Sequence, residues 1–130
     1  MVRNVVPLAD SLSSASLARR SVEQLADQSG APDDEKKALV VIASELVTNA
    51  VLHGGAPIIL SVSYQAGEIT VEVADGDPRV ESVGIRPVDE PTPGGRGLRV
   101  VASLADRWGI RRSQPGKTVW AAKALNLAAR

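Results

Sequence analysis

Cysteine and phenylalanine are absent from this chain of 130 residues, and its only aromatic side chains are two tryptophans and one tyrosine. Without cysteine the chain forms no disulfide and no thiolate metal site, which suits a reducing compartment. With so few aromatic rings, binding of single-stranded nucleic acid by base stacking is not expected. The core must therefore be built from valine, leucine, isoleucine and alanine.

The chain also has no excess of either charge and no long apolar run. Lysine and arginine together number 15, as do aspartate and glutamate, so neither nucleic acid nor an anionic membrane is expected as a partner. No stretch approaches the roughly 18 apolar residues of a membrane span, and the N-terminus lacks the apolar core of a signal peptide. We expect a soluble, cytoplasmic protein with a single domain over residues 1–130.

The hydrophobic periodicity predicts an α+β fold. We expect helices at 11–29, 33–53 and 98–105, one hairpin of 58–64 with 69–75, a second of 108–112 with 117–122, and an edge strand at 2–6. This order of elements favours a two-layer sandwich, in which helices cover one face of a mixed, mostly antiparallel sheet.

A long segment, residues 76–97, separates the first hairpin from the short helix and holds four prolines and five glycines. A loop of this length in a small domain is either a functional lid or a disordered linker. It ends in Gly94-Gly95-Arg96-Gly97, directly before Leu98. Glycines before a helix expose backbone N–H groups to an anion, and Arg96 could add a charge-assisted hydrogen bond to a phosphate.

The second predicted helix carries Glu45, Asn49 and His53 on one stripe, since they are four residues apart. A Mg²⁺ ion with its waters would satisfy the first two, because Asn49 supplies a neutral oxygen ligand and Glu45 can deprotonate a nucleophile beside the metal. A solvated stripe is the alternative. We interpret His53, the only histidine, as a helix-end residue near the last carbonyls rather than as a phosphoacceptor.

Asp75 continues the apolar face of the strand at 69–75, where packing alone would not place a carboxylate. It could accept a hydrogen bond from an amino group such as that of adenine, and Gly76 would let a flat ligand approach. A simple Asp-Gly turn is the alternative. We expect Thr118 to face inward near Asp75 and help to bind the base, unless it is an ordinary strand threonine. Basic residues around the last hairpin are interpreted as a solvated face: Arg107, Arg111, Arg112 and Lys117.

Together these segments resemble the Bergerat-type ATP-binding fold shared by gyrase and histidine kinases. The run Ser44 to Gly54 looks like the N-box of that family, and Asp75-Gly76 looks like the start of its first glycine box. The run Gly94 to Leu98 is similar to the second glycine box, and Gly116 to Trp120 is similar to the closing strand. The match covers nearly the whole chain in order. Its wording is closest to small anti-sigma factors that are also serine kinases, and to short ATP-binding regulators of actinobacteria.

The resemblance implies ATP and Mg²⁺ as ligands and gives roles to the matched residues. Asn49 would bind Mg²⁺, and Glu45 would be the general base for a serine hydroxyl of a partner. Asp75 would read the adenine amine, with Thr118 in support. The implied nucleotide-binding set is Asn49, His53, Asp75, Gly76, Gly94, Gly95, Arg96, Gly97, Leu98 and Thr118.

The first glycine box departs from the family pattern. It usually reads Asp-x-Gly-x-Gly, whereas here it reads Asp75-Gly76-Asp77-Pro78-Arg79. Pro78 lacks an N–H group and fixes its φ angle, which changes the backbone on the adenine side of the site.

The resemblance also implies partners. Relatives hold a sigma factor, release it when an unphosphorylated anti-anti-sigma protein of the STAS type binds, and phosphorylate that antagonist on serine or threonine. An ATP-dependent protein serine/threonine kinase is therefore the leading hypothesis. The alternatives are a non-catalytic module that holds a partner with the same fold, and the catalytic half of a split histidine kinase. Relatives commonly form homodimers, for which the N-terminal segment or an exposed sheet edge could serve.

Overall fold

A computed structural model describes residues 1–79 and 95–127, with the backbone alone for 95–97. Its elements are strand β1 (Val2–Leu8), helices α1 (Ser14–Gln28) and α2 (Asp33–Asn49), a π-helical turn (Ala50–Gly54), strands β2 (Ile58–Gln65) and β3 (Glu68–Asp75), helix α3 (Gly95–Leu104), and strands β4 (Arg107–Arg112) and β5 (Lys117–Ala124). The predicted α+β sandwich is confirmed. Residues 80–94, which make up most of the predicted lid, lie outside the described residues.

The sheet has five strands in the order β1-β2-β3-β5-β4, and each described pair of neighbours is antiparallel. Alternation along β2 and β3 sends the apolar side chains of one face beneath the helices, where Leu60, Val62, Val71 and Val73 are buried. The edge strand β1 runs two residues further than predicted, because an edge position tolerates Pro7.

Helix α2 lies between α1 and α3 and contacts both of them. Its first turn holds Asp33, Asp34 and Glu35, as expected for acids near the positive end of a helix dipole. Its buried residues, which include Leu39, Ile42 and Leu46, belong to the core. The stretch Asp33–Gly54 is, among the described residues, the one helix with the length and hydropathy of a membrane span. Its packing against the sheet accounts for that apolar character.

Helix α3 begins at Gly95, three residues before the predicted start at Leu98. The motif Gly95-Arg96-Gly97 therefore forms the first helical turn instead of preceding it. Leu98 and Val101 are fully buried in the core and anchor this helix against α2. Because glycine costs little at a helix end, the buried leucine and valine can extend the helix back through the glycines.

Candidate functional site

The C-terminal end of α2 is shaped by the π-helical turn. The sequence predicts one helix through His53, but the α-helical pattern stops at Asn49 and the chain continues as a π turn to Gly54. The N–H of Gly55 donates to the Ala50 carbonyl at 2.8 Å, and Gly55 then leaves the helix with a φ of 75°. Such turns are rare and are found frequently at functional sites.

The π turn presses Gly54 against the carboxylate of Asp75. A Cβ atom at position 54 would overlap Oδ2 of Asp75, so only glycine fits. The Gly76 N–H donates to the Gly55 carbonyl at 3.0 Å, and a Cβ at Gly116 would lie 2.5 Å from the Asp75 carbonyl oxygen. Close backbone packing therefore fixes Asp75 between α2, the end of β3 and the start of β5.

Glu45 and Asn49 are half-buried on α2, whereas their neighbours Leu46 and Val47 are buried in the core. The two polar residues are one turn apart, about 6 Å along the helix axis. Asn49 precedes Gly54 by five residues, so less than about 8 Å of helix separates it from the contact with Asp75. The structure thus brings Glu45, Asn49 and Asp75 to one end of the domain.

Both α2 side chains suit the metal that the sequence predicts. Asn49 and Glu45 offer hard oxygen atoms at half-exposed positions, where Mg²⁺ could keep most of its waters. Among residues 1–79 and 95–127 there is no cluster of three or more His, Cys, Asp or Glu side chains that could hold a metal by themselves. The Mg²⁺ site stays a prediction that depends on the nucleotide phosphates as additional ligands.

Asp75 is not free to accept a ligand, because it forms a buried ion pair with Lys117. Nζ of Lys117 lies 3.1 Å from Oδ1 of Asp75, and the two side chains are only 1% and 3% exposed. The same ammonium donates to the Asp77 carbonyl at 3.2 Å, and the Asp77 N–H donates to Oδ1 of Asp75 at 2.9 Å. The interpretation of Lys117 as part of a solvated basic face is therefore wrong.

Strand register explains why Lys117 occupies this position. Asp75 and Lys117 are directly opposite each other in the β3–β5 pair, so both side chains point toward the helices. The other basic residues keep the predicted exposure on the far face, where Arg107 pairs with Glu68 and Arg111 with Glu72. The sequence held a signal for Lys117, since Lys117, Val119 and Ala121 alternate in phase along β5.

Thr118 does not face Asp75, contrary to expectation. It is opposite Ala74, so its side chain lies on the sheet face that points away from the helices. There its Oγ1 is 2.7 Å from Oγ of Ser113. Alternation makes it impossible for Lys117 and Thr118 to share a face, and Lys117 takes the place beside Asp75.

We predict that Thr118→Val leaves the affinity for Mg-ATP within about twofold of wild type, because the hydroxyl lies across the sheet from the candidate site. The lost hydrogen bond to Ser113 should cost about 1 kcal/mol of unfolding free energy. Isothermal titration calorimetry and urea denaturation measure the two quantities. A tenfold loss of affinity would restore Thr118 to the nucleotide site.

The unusual residues of the first glycine box form a local turn. Asp77 accepts hydrogen bonds from the Arg79 N–H at 2.9 Å and from the guanidinium at 2.8 Å. The side-chain hydrogen bond from Arg79 holds the pKa of Asp77 well below its usual value. Any stability from this pair is thus present above the ordinary pKa of an aspartate and is lost as the pH falls further. In place of two glycines, this chain has an ion-paired turn.

The remaining predicted residues are placed as follows. His53 is exposed in the last turn of the π helix, consistent with its position at a helix end. The backbone of Gly95, Arg96 and Gly97 forms the first turn of α3, where unpaired N–H groups are expected. Gly94 and the Arg96 side chain lie outside the described residues. Nucleotide contacts by these residues stay predictions.

The family model of the histidine kinase-like ATPase domain matches residues 8–123. The chain therefore belongs to this family of ATPase domains, which implies ATP binding. No curated protein matches the sequence.

Two solved structures have similar folds. One is the crystal structure of the RsbU and RsbW domains of Rv1364c from Mycobacterium tuberculosis, with a TM-score of 0.73, 19% identity, and coverage of 96% of this chain and 33% of that chain. The other is the histidine kinase domain of the blue-light activated histidine kinase EL346 from Erythrobacter litoralis, with a TM-score of 0.55, 18% identity, and coverage of 88% of this chain and 60% of that chain. This chain thus spans less than two thirds of either, and at these identities the likeness shows the fold alone.

Proposed function

We propose that this chain is an anti-sigma factor with ATP-dependent protein kinase activity, which phosphorylates a serine or threonine of a STAS-type anti-anti-sigma protein. The observation that carries the proposal is the half-exposed pair Glu45 and Asn49, one turn apart on the helix whose end packs against Asp75. Membership of the ATPase family and the likeness to a structure that contains an RsbW domain support it.

In this proposal each residue has a defined task. Bound ATP with Mg²⁺ supplies the phosphoryl group. Asn49 supplies an amide oxygen to the metal, and Glu45 takes the proton from the partner's hydroxyl group. The first turn of α3 directs backbone N–H groups toward the phosphate end of the site. The partner must approach the half-exposed side of α2, since Glu45 has to reach its hydroxyl group.

A phosphotransfer assay tests the proposal. The chain is incubated with radiolabelled Mg-ATP and each candidate STAS-domain protein, and acid-stable label on the partner is measured. We expect transfer to one partner, and loss of at least tenfold in Asn49→Ala because the metal ligand is removed. Asn126→Ala, which changes an exposed asparagine far along the chain from α2, serves as the control.

Each other outcome has a distinct meaning. Acid-labile label on a histidine-containing partner would favour the split histidine kinase. Absence of label on every partner, with all of the chain folded, would contradict the kinase activity.

A non-catalytic partner-binding module is the second candidate, and the Asp75–Lys117 ion pair favours it. This pair occupies the carboxylate that should read adenine, and Asp77-Pro78 changes the adjacent backbone. Such a module would bind its partner with the same affinity in the presence and absence of Mg-ATP. Calorimetry with the partner under both conditions separates the two candidates.

A further inference from the structure

We propose that Lys117 competes with the nucleotide base for Asp75 and thereby sets both the affinity and the base selectivity of the site. The inference rests on the proposed function in one respect, which is that the base binds at Asp75. It goes beyond that function by assigning a specificity-determining role to a residue that the family motifs do not include.

The contacts around Asp75 leave no room for an additional donor. Oδ1 already accepts hydrogen bonds from Lys117 and from the Asp77 N–H, and Gly54 packs on Oδ2. At 3% exposure, the carboxylate is closed to solvent on the remaining sides. An exocyclic amine can therefore reach Asp75 only when one of these groups moves.

Lys117 is the group best able to move. Gly54 and the Asp77 N–H belong to backbone that is held by close packing and by the hydrogen bonds of Gly55 and Gly76. The lysine ammonium, in contrast, ends a flexible four-carbon chain. It also has a second acceptor in the Asp77 carbonyl, 3.2 Å away, which it can keep when it releases Asp75.

The exchange is unfavourable for adenine. Binding of its amine replaces a charge-assisted hydrogen bond by one from a neutral donor, and neutral donors form weaker bonds to a carboxylate. A purine with a carbonyl group at the same position, such as hypoxanthine, has an acceptor that the Lys117 ammonium can serve while it stays near Asp75. We therefore expect the wild-type chain to bind inosine triphosphate at least as tightly as ATP.

The test measures affinities for Mg-ATP and Mg-inosine triphosphate by calorimetry in wild type and in Lys117→Thr. We expect the variant to bind ATP about tenfold more tightly and to show no gain for inosine triphosphate, so that the preference reverses. Lys123→Thr is the matched control, because Lys123 lies on the same face of β5 and donates to the Leu104 carbonyl, away from Asp75. It should leave both affinities unchanged.

A second variant protects the test against loss of folding. Lys117→Gln keeps a neutral donor near Asp75 and the Asp77 carbonyl, and it should give a smaller gain for ATP in the same direction. Circular dichroism establishes that each variant is folded, and if Lys117→Thr is not, the glutamine variant decides the outcome.

Several results would overturn the inference. A wild-type preference of tenfold or more for ATP, or a loss of ATP affinity in either Lys117 variant, would show that the ammonium assists base binding. A chain that binds neither nucleotide in any variant would overturn this inference and the ATP-binding part of the proposed function together. If the preference reverses but no partner is phosphorylated, the role of Lys117 stands and the kinase activity alone fails.

Discussion

Replacement of Glu45 by glutamine is expected to slow phosphoryl transfer to the protein partner by about 10²–10⁴-fold, the range typical for loss of a general base. Glutamine has the same shape and nearly the same helix propensity as glutamate, so α2 and its buried face should be unaffected. It cannot take a proton from a hydroxyl group. Single-turnover rates at saturating Mg-ATP give the size of the effect, and calorimetry should show nucleotide affinity within about twofold of wild type.

The control for this prediction is Glu23→Gln, which removes the charge of an exposed glutamate on α1. Its transfer rate should equal that of wild type, since Glu23 is on a different helix. Transfer by Glu45→Gln at the wild-type rate would contradict the role of Glu45 as base. A loss of transfer together with a tenfold loss of ATP affinity would instead place Glu45 in nucleotide binding.

The fold could be predicted from the sequence because its elements have clear periods. Alternation in 58–64 and 69–75 predicts the first hairpin, and the structure extends these strands by one residue at most at each end. Helical spacing and the acids after Pro32 likewise predict the start of α2. These signals are local, since each depends on side chains that choose between core and solvent within one element.

The parts of the site that could not be predicted depend on contacts between elements. The end of α2 as a π turn follows from the packing of Gly54 on Asp75, and these residues are far apart in sequence. The choice between Lys117 and Thr118 depends on strand register, because a shift of one residue exchanges the two faces of the sheet. A lysine is also almost never fully buried without a partner, so sequence reasoning placed Lys117 in solvent.

Removal of the Lys117 ammonium should destabilise the nucleotide-free chain more than any change at the protein surface. Lys117→Met keeps the length of the side chain but leaves the Asp75 carboxylate buried without its cation, and loss of one partner of a buried pair costs about 3–5 kcal/mol. Urea denaturation at neutral pH measures the change in unfolding free energy. The deficit should shrink as the pH is lowered, because a buried carboxyl group without a partner is less costly in its neutral form.

The double variant Asp75→Asn/Lys117→Met separates the charge from the packing. Asparagine keeps an acceptor for the Asp77 N–H and carries no charge, so the double variant should recover most of the lost unfolding free energy. Lys123→Met, the control on the same strand, should lose only about 1 kcal/mol, the value of a single hydrogen bond. Equal losses in Lys117→Met and in the double variant would mean that packing of the lysine stem, and not its ion pair with Asp75, holds this end of the domain together.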